Sequence, residues 1–259
     1  MFFKKEPLPE ISIGITTFEH RFEQYFKPLL AKLRQADPQT EIIVAVNGEH
    51  RRPFSEEYRA GIMSFLATMP RVFPVFFPSF RGVAKLWNSI IIHASEDHVL
   101  LLNDDIMIDD DFLADVRKNV RKYKEKTFTI NNSWSHYLVS RKEIDELGYF
   151  DERLLGIGEE DGDISWRYFQ LYGRNILNCK MKSVRNFAED SVYSYKPVNI
   201  DCHSGTKYSR FNREFMFQSK YRADTNGHQG MFDSPYVLQD PGQRQYPNES
   251  FYRDNRHKL

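Results

Sequence analysis

Residues 98–111 read HVLLLNDDIMIDDD, and this stretch decides the fold that we expect. Its four apolar residues, Val99–Leu102, end abruptly at Asn103, Asp104 and Asp105. A short, continuous apolar run favours a strand that is buried on both faces. Ligands of open α/β sheets bind beyond the carboxyl ends of such strands. We therefore expect the acidic group to face a ligand crevice.

Two interpretations of this acidic group are open. Carboxylate oxygens suit a hard divalent cation, which readily shares its coordination sphere with phosphates. Alternatively, Asp104 and Asp105 only stabilise a turn, because Asp and Asn side chains often bond to their own backbone.

The flanking sequence alternates strands and helices. Strands are predicted at Ile11–Thr16, Glu41–Val46 and Val72–Phe77, each followed by a segment with helical spacing of apolar residues. This alternation is typical of a parallel sheet with helices on both faces. After Lys126 the elements become shorter, and beyond about residue 190 periodicity fades. The predicted fold class is α/β, a three-layer sandwich with a mostly parallel mixed sheet and an irregular C-terminal extension.

Composition excludes several classes of function. Lys+Arg and Asp+Glu are equal at 36 each, so the chain lacks the basic excess expected of a nucleic-acid-binding protein. Cys179 and Cys202 cannot build a disulfide framework or a four-thiolate zinc site, and they favour a reducing compartment. Neither a signal peptide nor a transmembrane run is recognised. We expect a cytoplasmic protein, and peripheral membrane association stays open.

A second acidic cluster lies in residues 148–173, GYFDERLLGIGEEDGDISWRYFQLYG. Asp161 falls at the start of a predicted helix, where the helix dipole favours an ionised carboxylate. Such a carboxylate, aimed into a cleft, can take a proton from a sugar hydroxyl. The alternative for Asp161 taken alone, capping of the helix, is the commoner role.

Together, LLLNDDIMI and the Gly148–Gly173 segment resemble the paired motifs of GT-A fold glycosyltransferases of the family 2 type. The resemblance implies a Rossmann-like GT-A domain over residues 1–220 that transfers hexoses with inversion. Its nucleotide-binding half would cover about 1–126 and its acceptor-binding half about 127–220. Residues 221–259 would form an extension that wraps the domain or is partly disordered.

The resemblance also implies a donor site and a metal site. Asp105 would ligate Mn²⁺ or Mg²⁺, Asp104 would hold the ribose or share the ion, and His203 is a candidate third ligand, with a surface-loop histidine as the alternative. The implied donor-binding residues are Thr16, Thr17, Phe18, Asn47, Arg81, Lys85, Asn88, Asn103 and Asp104. Because Asn47, Phe80 and Asn103 depart from the family pattern, the donor is left as a UDP-, dTDP- or GDP-sugar.

On the acceptor side, the resemblance implies that Asp161 is the general base and that Glu160 orders the acceptor or its loop. Trp134 falls in the segment that the family uses near the acceptor, and an exposed indole stacks well on a sugar face. The acceptor is expected to be a glycan, a lipid-linked sugar or a small molecule. Trp87 and Trp166, in contrast, have the spacing of core residues. The oligomeric state is not indicated.

Two other functions compete with a glycosyltransferase. A sugar-phosphate nucleotidyltransferase also uses acidic residues on a related fold, but residues 16–26, TTFEHRFEQYF, lack a glycine-rich loop that would cradle a triphosphate. A binding module for nucleotides or carbohydrates could keep the fold without turnover, since fold alone never establishes activity.

Overall fold

A computed structural model describes residues 9–48, 52–154, 156–187 and 212–221, without the side chains of residues 217–219. His203, Cys202 and the predicted C-terminal extension after Tyr221 lie outside these residues. The strands are β1 Ser12–Phe18, β2 Ile42–Asn47, β3 Val72–Phe76, β4 His98–Asn103, β5 Ile106–Ile108, β6 Phe128–Ile130, β7 Ser133–Ser140, β8 Leu177–Cys179 and β9 Val184–Asn186. The helices are α1 Lys27–Ala36, α2 Glu56–Leu66, α3 Val83–His93, α4 Phe112–Tyr123, α5 Arg141–Leu147 and α6 Glu160–Tyr172.

Seven strands form one mixed sheet in the order β3-β2-β1-β4-β7-β6-β8. The first four are parallel to one another, β7 runs antiparallel to both β4 and β6, and β8 is parallel to β6. β1 and β4 lie side by side in the middle, and Thr16 pairs with Asn103. The carboxyl ends of the first four strands therefore meet at one edge of the sheet.

The apolar run in β4 is buried on both faces, as predicted. Leu100 and Leu102 pack into one hydrophobic core with helices α1, α2 and α4. Val99 and Leu101 point the other way, into a second core with α3, α5 and α6. Because neighbouring strand residues face opposite sides of a sheet, one continuous apolar run serves both cores. The predicted three-layer α/β sandwich is confirmed.

Close packing of α3 on the sheet requires a glycine in β1. A Cβ atom at Gly14 would lie 2.2 Å from Cγ2 of Ile90, so only glycine lets this helix approach. This contact places the N-terminus of α3 near the carboxyl edge of the sheet.

Several helix boundaries follow the signals in the sequence. Ser55 caps α2 by accepting a hydrogen bond from the Tyr58 N–H at 3.1 Å. Gly148 and Gly173 end α5 and α6 in left-handed conformations, with φ of 79° and 64°. Across the part of the chain that the structure covers, none of the helices combines the length and apolarity that a bilayer crossing demands.

Candidate active site

A cleft lies at the carboxyl edge of the sheet, where the ends of β1 and β4 meet. Its volume is about 110 Å³. Most of the residues predicted to bind a donor line it: Thr16, Thr17, Phe18, Asn47, Arg81, Asn103 and Asp104. Arg21, Phe80, Val83, Leu86, Gly156 and Ile157 complete the wall. The cleft thus brings together residues that are distant in sequence but adjacent at one sheet edge.

Asn47, at the end of β2, holds the backbone of Arg81 in place. Its Nδ2 donates to the Arg81 carbonyl at 2.9 Å, and its Oδ1 accepts from the Arg81 N–H at 2.9 Å. Asn47 itself is only 4% exposed. The Arg81 guanidinium donates to the Ser79 hydroxyl at 2.6 Å. Asn47 therefore orients a cationic residue of the cleft, a function that an amide can perform and a carboxylate cannot.

Lys85 and Asn88 do not line the cleft. Asn88 is fully buried, and its amide forms two hydrogen bonds with the backbone of Phe150, at 2.9 and 3.0 Å. Lys85 pairs with Glu152 at 3.0 Å. Both residues join α3 to the segment that leads into the second acidic cluster. The complete burial of Asn88 argues against the donor contact expected for it and assigns it to positioning.

The acidic pair after β4 has an internal counter-ion that the sequence did not reveal. Arg21 Nη1 lies 2.8 Å from Asp104 Oδ1 and 2.8 Å from Asp105 Oδ2. The guanidinium also lies over the ring of Phe18, with its central carbon 5.1 Å from the ring centre. The Asp104 side chain is 1% exposed and that of Asp105 is 16% exposed. Burial raises the pKa of Asp104 to about 6, an effect that Arg21 opposes and Asp105 reinforces.

This pair has the donor chemistry of a site for a hard cation. Asp104 Oδ2 is buried without a hydrogen-bond partner, although the Thr17 hydroxyl lies close enough to lower the carboxyl's pKa. An orphaned carboxylate oxygen beside a second carboxylate fits Mg²⁺ or Mn²⁺. Among the residues described, no group of three or more His, Cys, Asp or Glu side chains could hold a metal ion. The candidate third ligand, His203, lies outside them.

The second acidic cluster begins α6. Glu159 precedes the helix in a left-handed conformation with φ of 74°, and its own side chain makes no capping bond. Within the first turn, Asp161 Oδ1 accepts from the Gly162 N–H at 2.9 Å, so Asp161 also takes the capping role that was its alternative. The Gly158 N–H donates to Glu160 Oε2 at 2.6 Å. Burial raises the pKa of Glu160 to about 8, and the Asp161 charge adds to the rise. Glu160 is therefore protonated at neutral pH, whereas Asp161 is partly exposed at the helix start.

The two acidic clusters lie at the same edge of the sheet. Gly156 and Ile157, a few residues before Glu160, line the cleft together with Asp104, and the Gly156 carbonyl accepts from the Val83 N–H at 2.8 Å. Tyr137 of β7 pairs with Leu101 of β4. Burial raises the pKa of Tyr137 well above its usual value, with the charges of Glu160 and Asp161 contributing. Both clusters are thus close to the carboxyl end of β4.

A buried ion cluster fixes α6 to residues 212–221. Lys220 Nζ lies 2.7 Å from Asp151 Oδ2 and 2.5 Å from Asp163 Oδ1, and the Lys220 side chain is 1% exposed. Arg167 donates to the other oxygen of Asp163 at 2.8 Å, and the Tyr221 hydroxyl donates to Asp163 as well. Burial alone would raise the pKa of Asp163, but the charges of Arg167 and Lys220 outweigh it and lower that pKa.

The same C-terminal segment contacts the loop before α6. Asn212 Nδ2 donates to the Gly158 carbonyl at 2.8 Å, and Arg213 pairs with Glu159 at 3.1 Å. Together with the Lys220 cluster, these bonds tie the segment to both sides of Glu160 and Asp161. Asn212, Arg213 and Lys220 were not sequence candidates, because their segment has no clear periodicity.

Trp134 lies apart from the donor cleft, in a second groove of about 530 Å³ beside α6. Trp87 and Trp166 are 3% and 0% exposed, which confirms their predicted packing role.

The comparisons with known proteins concern the fold. No protein-family model matches the chain, and no curated protein matches it in sequence. Among solved structures, S. aureus TarS is 16% identical, with a TM-score of 0.53 over 68% of this chain and 36% of that chain. A TarS structure in complex with UDP-GlcNAc is 14% identical, with a TM-score of 0.50 over 70% and 61% of the two chains.

A third match is the mannosyltransferase PcManGT from Pyrobaculum calidifontis, solved in complex with GDP-Man and Mn²⁺. It is 15% identical, with a TM-score of 0.53 over 67% of this chain and 56% of that chain. The chain thus spans from 36% to 61% of the length of these solved chains. This protein has the GT-A fold that its two acidic motifs led us to expect.

Proposed function

We propose that this protein is a metal-dependent glycosyltransferase that moves a sugar from a nucleotide diphosphate donor to an acceptor hydroxyl. One observation carries the proposal: a cleft at the carboxyl edge of the sheet is lined by the polar ends of β1 and β4, by Arg81 and by Gly156 and Ile157, which lead into the second acidic cluster. The GT-A fold, which PcManGT uses with GDP-Man and Mn²⁺, supports the same conclusion.

The donor nucleotide would enter the cleft between Phe18, Asn103 and Arg81. Typical ligand pockets measure about 300–1,000 Å³, so a cleft of about 110 Å³ holds only part of a nucleotide sugar. The remainder would extend along the edge toward Asp105. Thr16 and Thr17 supply hydroxyl groups at the end of β1, and Lys85 and Asn88 act indirectly by positioning the opposite wall.

Asp105 and Asp104 would hold a Mn²⁺ or Mg²⁺ ion against the diphosphate. When bound, the ion neutralises charge that develops on the leaving diphosphate. Arg21 pairs with both carboxylates before the ion arrives, which lowers the cost of burying their charge. Its guanidinium and that of Arg81 add positive charge at the same edge.

Asp161 would act as the general base that takes the proton from the acceptor hydroxyl. Its partial exposure suits contact with an acceptor, and the neighbouring Glu160, protonated at neutral pH, can donate a hydrogen bond without adding negative charge. A base that faces the donor's anomeric carbon across the acceptor allows direct displacement, which inverts the configuration. No covalent enzyme intermediate is needed.

Thermal unfolding with nucleotides tests the proposal. We expect UDP, GDP, CDP or dTDP to raise the Tm in the presence of Mn²⁺. In a turnover assay, the corresponding nucleotide sugar should release its nucleoside diphosphate. Stabilisation by nucleoside triphosphates in preference to diphosphates would favour the nucleotidyltransferase. Diphosphate binding without turnover of any nucleotide sugar would favour a binding module.

A further inference from the structure

The groove beside α6 has the chemistry of a carbohydrate site. Its lining combines aromatic, amide, hydroxyl and aliphatic side chains, namely Thr129, Asn132, Trp134, Ser165, Phe169, Asn175 and Ile176. None of these seven residues carries a charge. A volume of about 530 Å³ falls within the usual range of about 300–1,000 Å³ for ligand sites. Amides and hydroxyls both donate and accept, as sugar hydroxyls require.

The indole of Trp134 is held rigidly at this groove. Its ring centre lies 4.7 Å from that of Tyr137 and 6.2 Å from that of Phe150, both in edge-on arrangements. Tyr137 and Phe150 are themselves fully buried. An aromatic side chain that is already ordered loses little conformational freedom when a ligand stacks on it. The groove is therefore preorganised for a flat, partly apolar surface such as a sugar ring.

The groove and the proposed catalytic base lie on the same face of α6. Asp161, Ser165 and Phe169 are spaced four residues apart, so they share a helical face, and all three are partly exposed. A rise of about 1.5 Å per residue places Ser165 about 6 Å and Phe169 about 12 Å along the axis from Asp161. These distances leave room for more than one sugar ring between Asp161 and the far end of the groove.

We propose that the groove between Trp134 and Phe169 binds the inner sugar of an uncharged oligosaccharide acceptor, whose terminal hydroxyl reaches Asp161. The inference rests on the proposed transferase function and narrows its acceptor class to a glycan of at least two residues. A phosphorylated or lipid-diphosphate acceptor fits less well, since the seven lining residues offer no cation to the phosphate.

The test uses the 259-residue chain and a panel of neutral disaccharides, namely cellobiose, maltose, lactose, chitobiose and mannobiose, with their constituent monosaccharides. Binding is measured by saturation-transfer NMR and by Trp fluorescence, without any donor present. At least one disaccharide is expected to bind about tenfold more tightly than its monosaccharide, a difference of about 1.4 kcal/mol. Equal binding of each disaccharide and its monosaccharide overturns the proposal.

Two variants test the groove, one by filling it and one by removing its aromatic side chain. Ser165→Tyr places a ring in the groove from an exposed helical position, and Trp134→Leu removes the stacking surface. Both are expected to abolish the disaccharide preference. The matched control is Gln170→Tyr, at an exposed position of the same helix outside the groove, which is expected to leave binding unchanged. Unchanged disaccharide binding in Ser165→Tyr overturns the assignment of the groove even if Trp134→Leu unfolds.

Donor turnover separates this inference from the proposed function. Release of nucleoside diphosphate with water as acceptor reports the transferase site alone, and the control Gln170→Tyr should leave it within about twofold of wild type. Donor turnover without any disaccharide preference would contradict the groove proposal but would still support the transferase function. Disaccharide binding without donor turnover would contradict the transferase function but would still support a carbohydrate site in the groove. Preference for a phosphorylated sugar over every neutral disaccharide also overturns the inference.

Discussion

Arg21 Nη1 lies 2.8 Å from an oxygen of Asp104 and 2.8 Å from an oxygen of Asp105, so one guanidinium pairs with both carboxylates of the β4 motif. Arg21 comes from the turn after β1, and Asp104 and Asp105 come directly after the neighbouring strand. The contact therefore joins the two central strands at the edge where we propose that the donor binds.

Removing Arg21 should destabilise the protein and increase the stabilisation that it gains from divalent cations. Arg21→Gln removes the cation that two adjacent carboxylates share, and removing one partner of a buried pair costs about 3–5 kcal/mol. Unfolding in guanidinium chloride measures the loss. Mn²⁺ should raise the Tm of Arg21→Gln more than that of wild type, because the ion would replace the lost charge.

The control for this variant is Arg59→Gln, which breaks an exposed pair with Glu56 and should cost under about 1 kcal/mol. An Arg21→Gln protein that gains no stability from Mn²⁺ would argue against a cation site at Asp104 and Asp105.

Asn47 should not tolerate a carboxylate in its place. Asn47→Asp replaces the Nδ2 donor by an oxygen that faces the Arg81 carbonyl, at a cost of about 1–3 kcal/mol for the unsatisfied buried groups. We expect lower stability and weaker nucleotide binding, both measurable by thermal unfolding. Asn178→Asp is the matched control, because Asn178 accepts through Oδ1 from Thr129 and Asn132 and an aspartate still can. Stronger nucleotide binding by Asn47→Asp would contradict the positioning role.

Lys220 should be essential for the order of the loop that leads into Asp161 and α6. Lys220→Met leaves Asp151 and Asp163 without a shared cation, and the expected loss of unfolding free energy is about 3–5 kcal/mol. Limited proteolysis should cut this variant near residues 151–163 before it cuts the sheet. Lys118→Met, whose 3.0 Å pair with Asp115 is exposed, should change stability by under about 1 kcal/mol. Equal losses of unfolding free energy in Lys220→Met and Lys118→Met would contradict the stabilising role assigned to the buried ion cluster.

Glu160 should make stability depend on pH. Its folded-state pKa of about 8 lies above the usual value of 4.5, so the folded protein keeps a proton that the unfolded chain has lost. The stabilisation is complete below about pH 4.5 and is lost as the pH rises toward 8, by about 1.4 kcal/mol per pH unit within that window. Glu160→Gln can still accept from the Gly158 N–H but cannot ionise. Denaturation curves at pH 5 to 9 should show that this variant loses less stability with rising pH than wild type, and parallel curves would contradict the assignment.

Local sequence patterns predicted the architecture because each signal acts within a few residues. The apolar run Val99–Leu102 is long enough for one strand and too short for a helix, so its burial on both faces could be foreseen. Gly148 and Gly173 mark helix ends through their own backbone freedom. The strand-end residues Thr16 and Asn103 could be placed together because parallel strands end at one sheet edge.

The contacts that complete the site could not be predicted in this way. Arg21 meets Asp104 across 83 residues, and Lys220 meets Asp151 across 69. Asn88 was expected to face the donor, but its amide hydrogen-bonds to the backbone of Phe150, 62 residues away. Such pairings depend on the approach of elements in space, and the residues involved carry no local signal beyond their polarity.

Donor binding and donor turnover in Asp161→Asn, measured on the same nucleotide sugar with Mn²⁺, test the central claim most directly. Loss of a general base should reduce turnover by about 10²- to 10⁴-fold, while the Kd for the nucleoside diphosphate stays within about twofold of wild type. Asp110→Asn, at a carboxylate that is 93% exposed, should match wild type in both measurements. Wild-type turnover in Asp161→Asn would contradict the account, because the second acidic cluster would then take no part in the chemistry at this edge of the sheet.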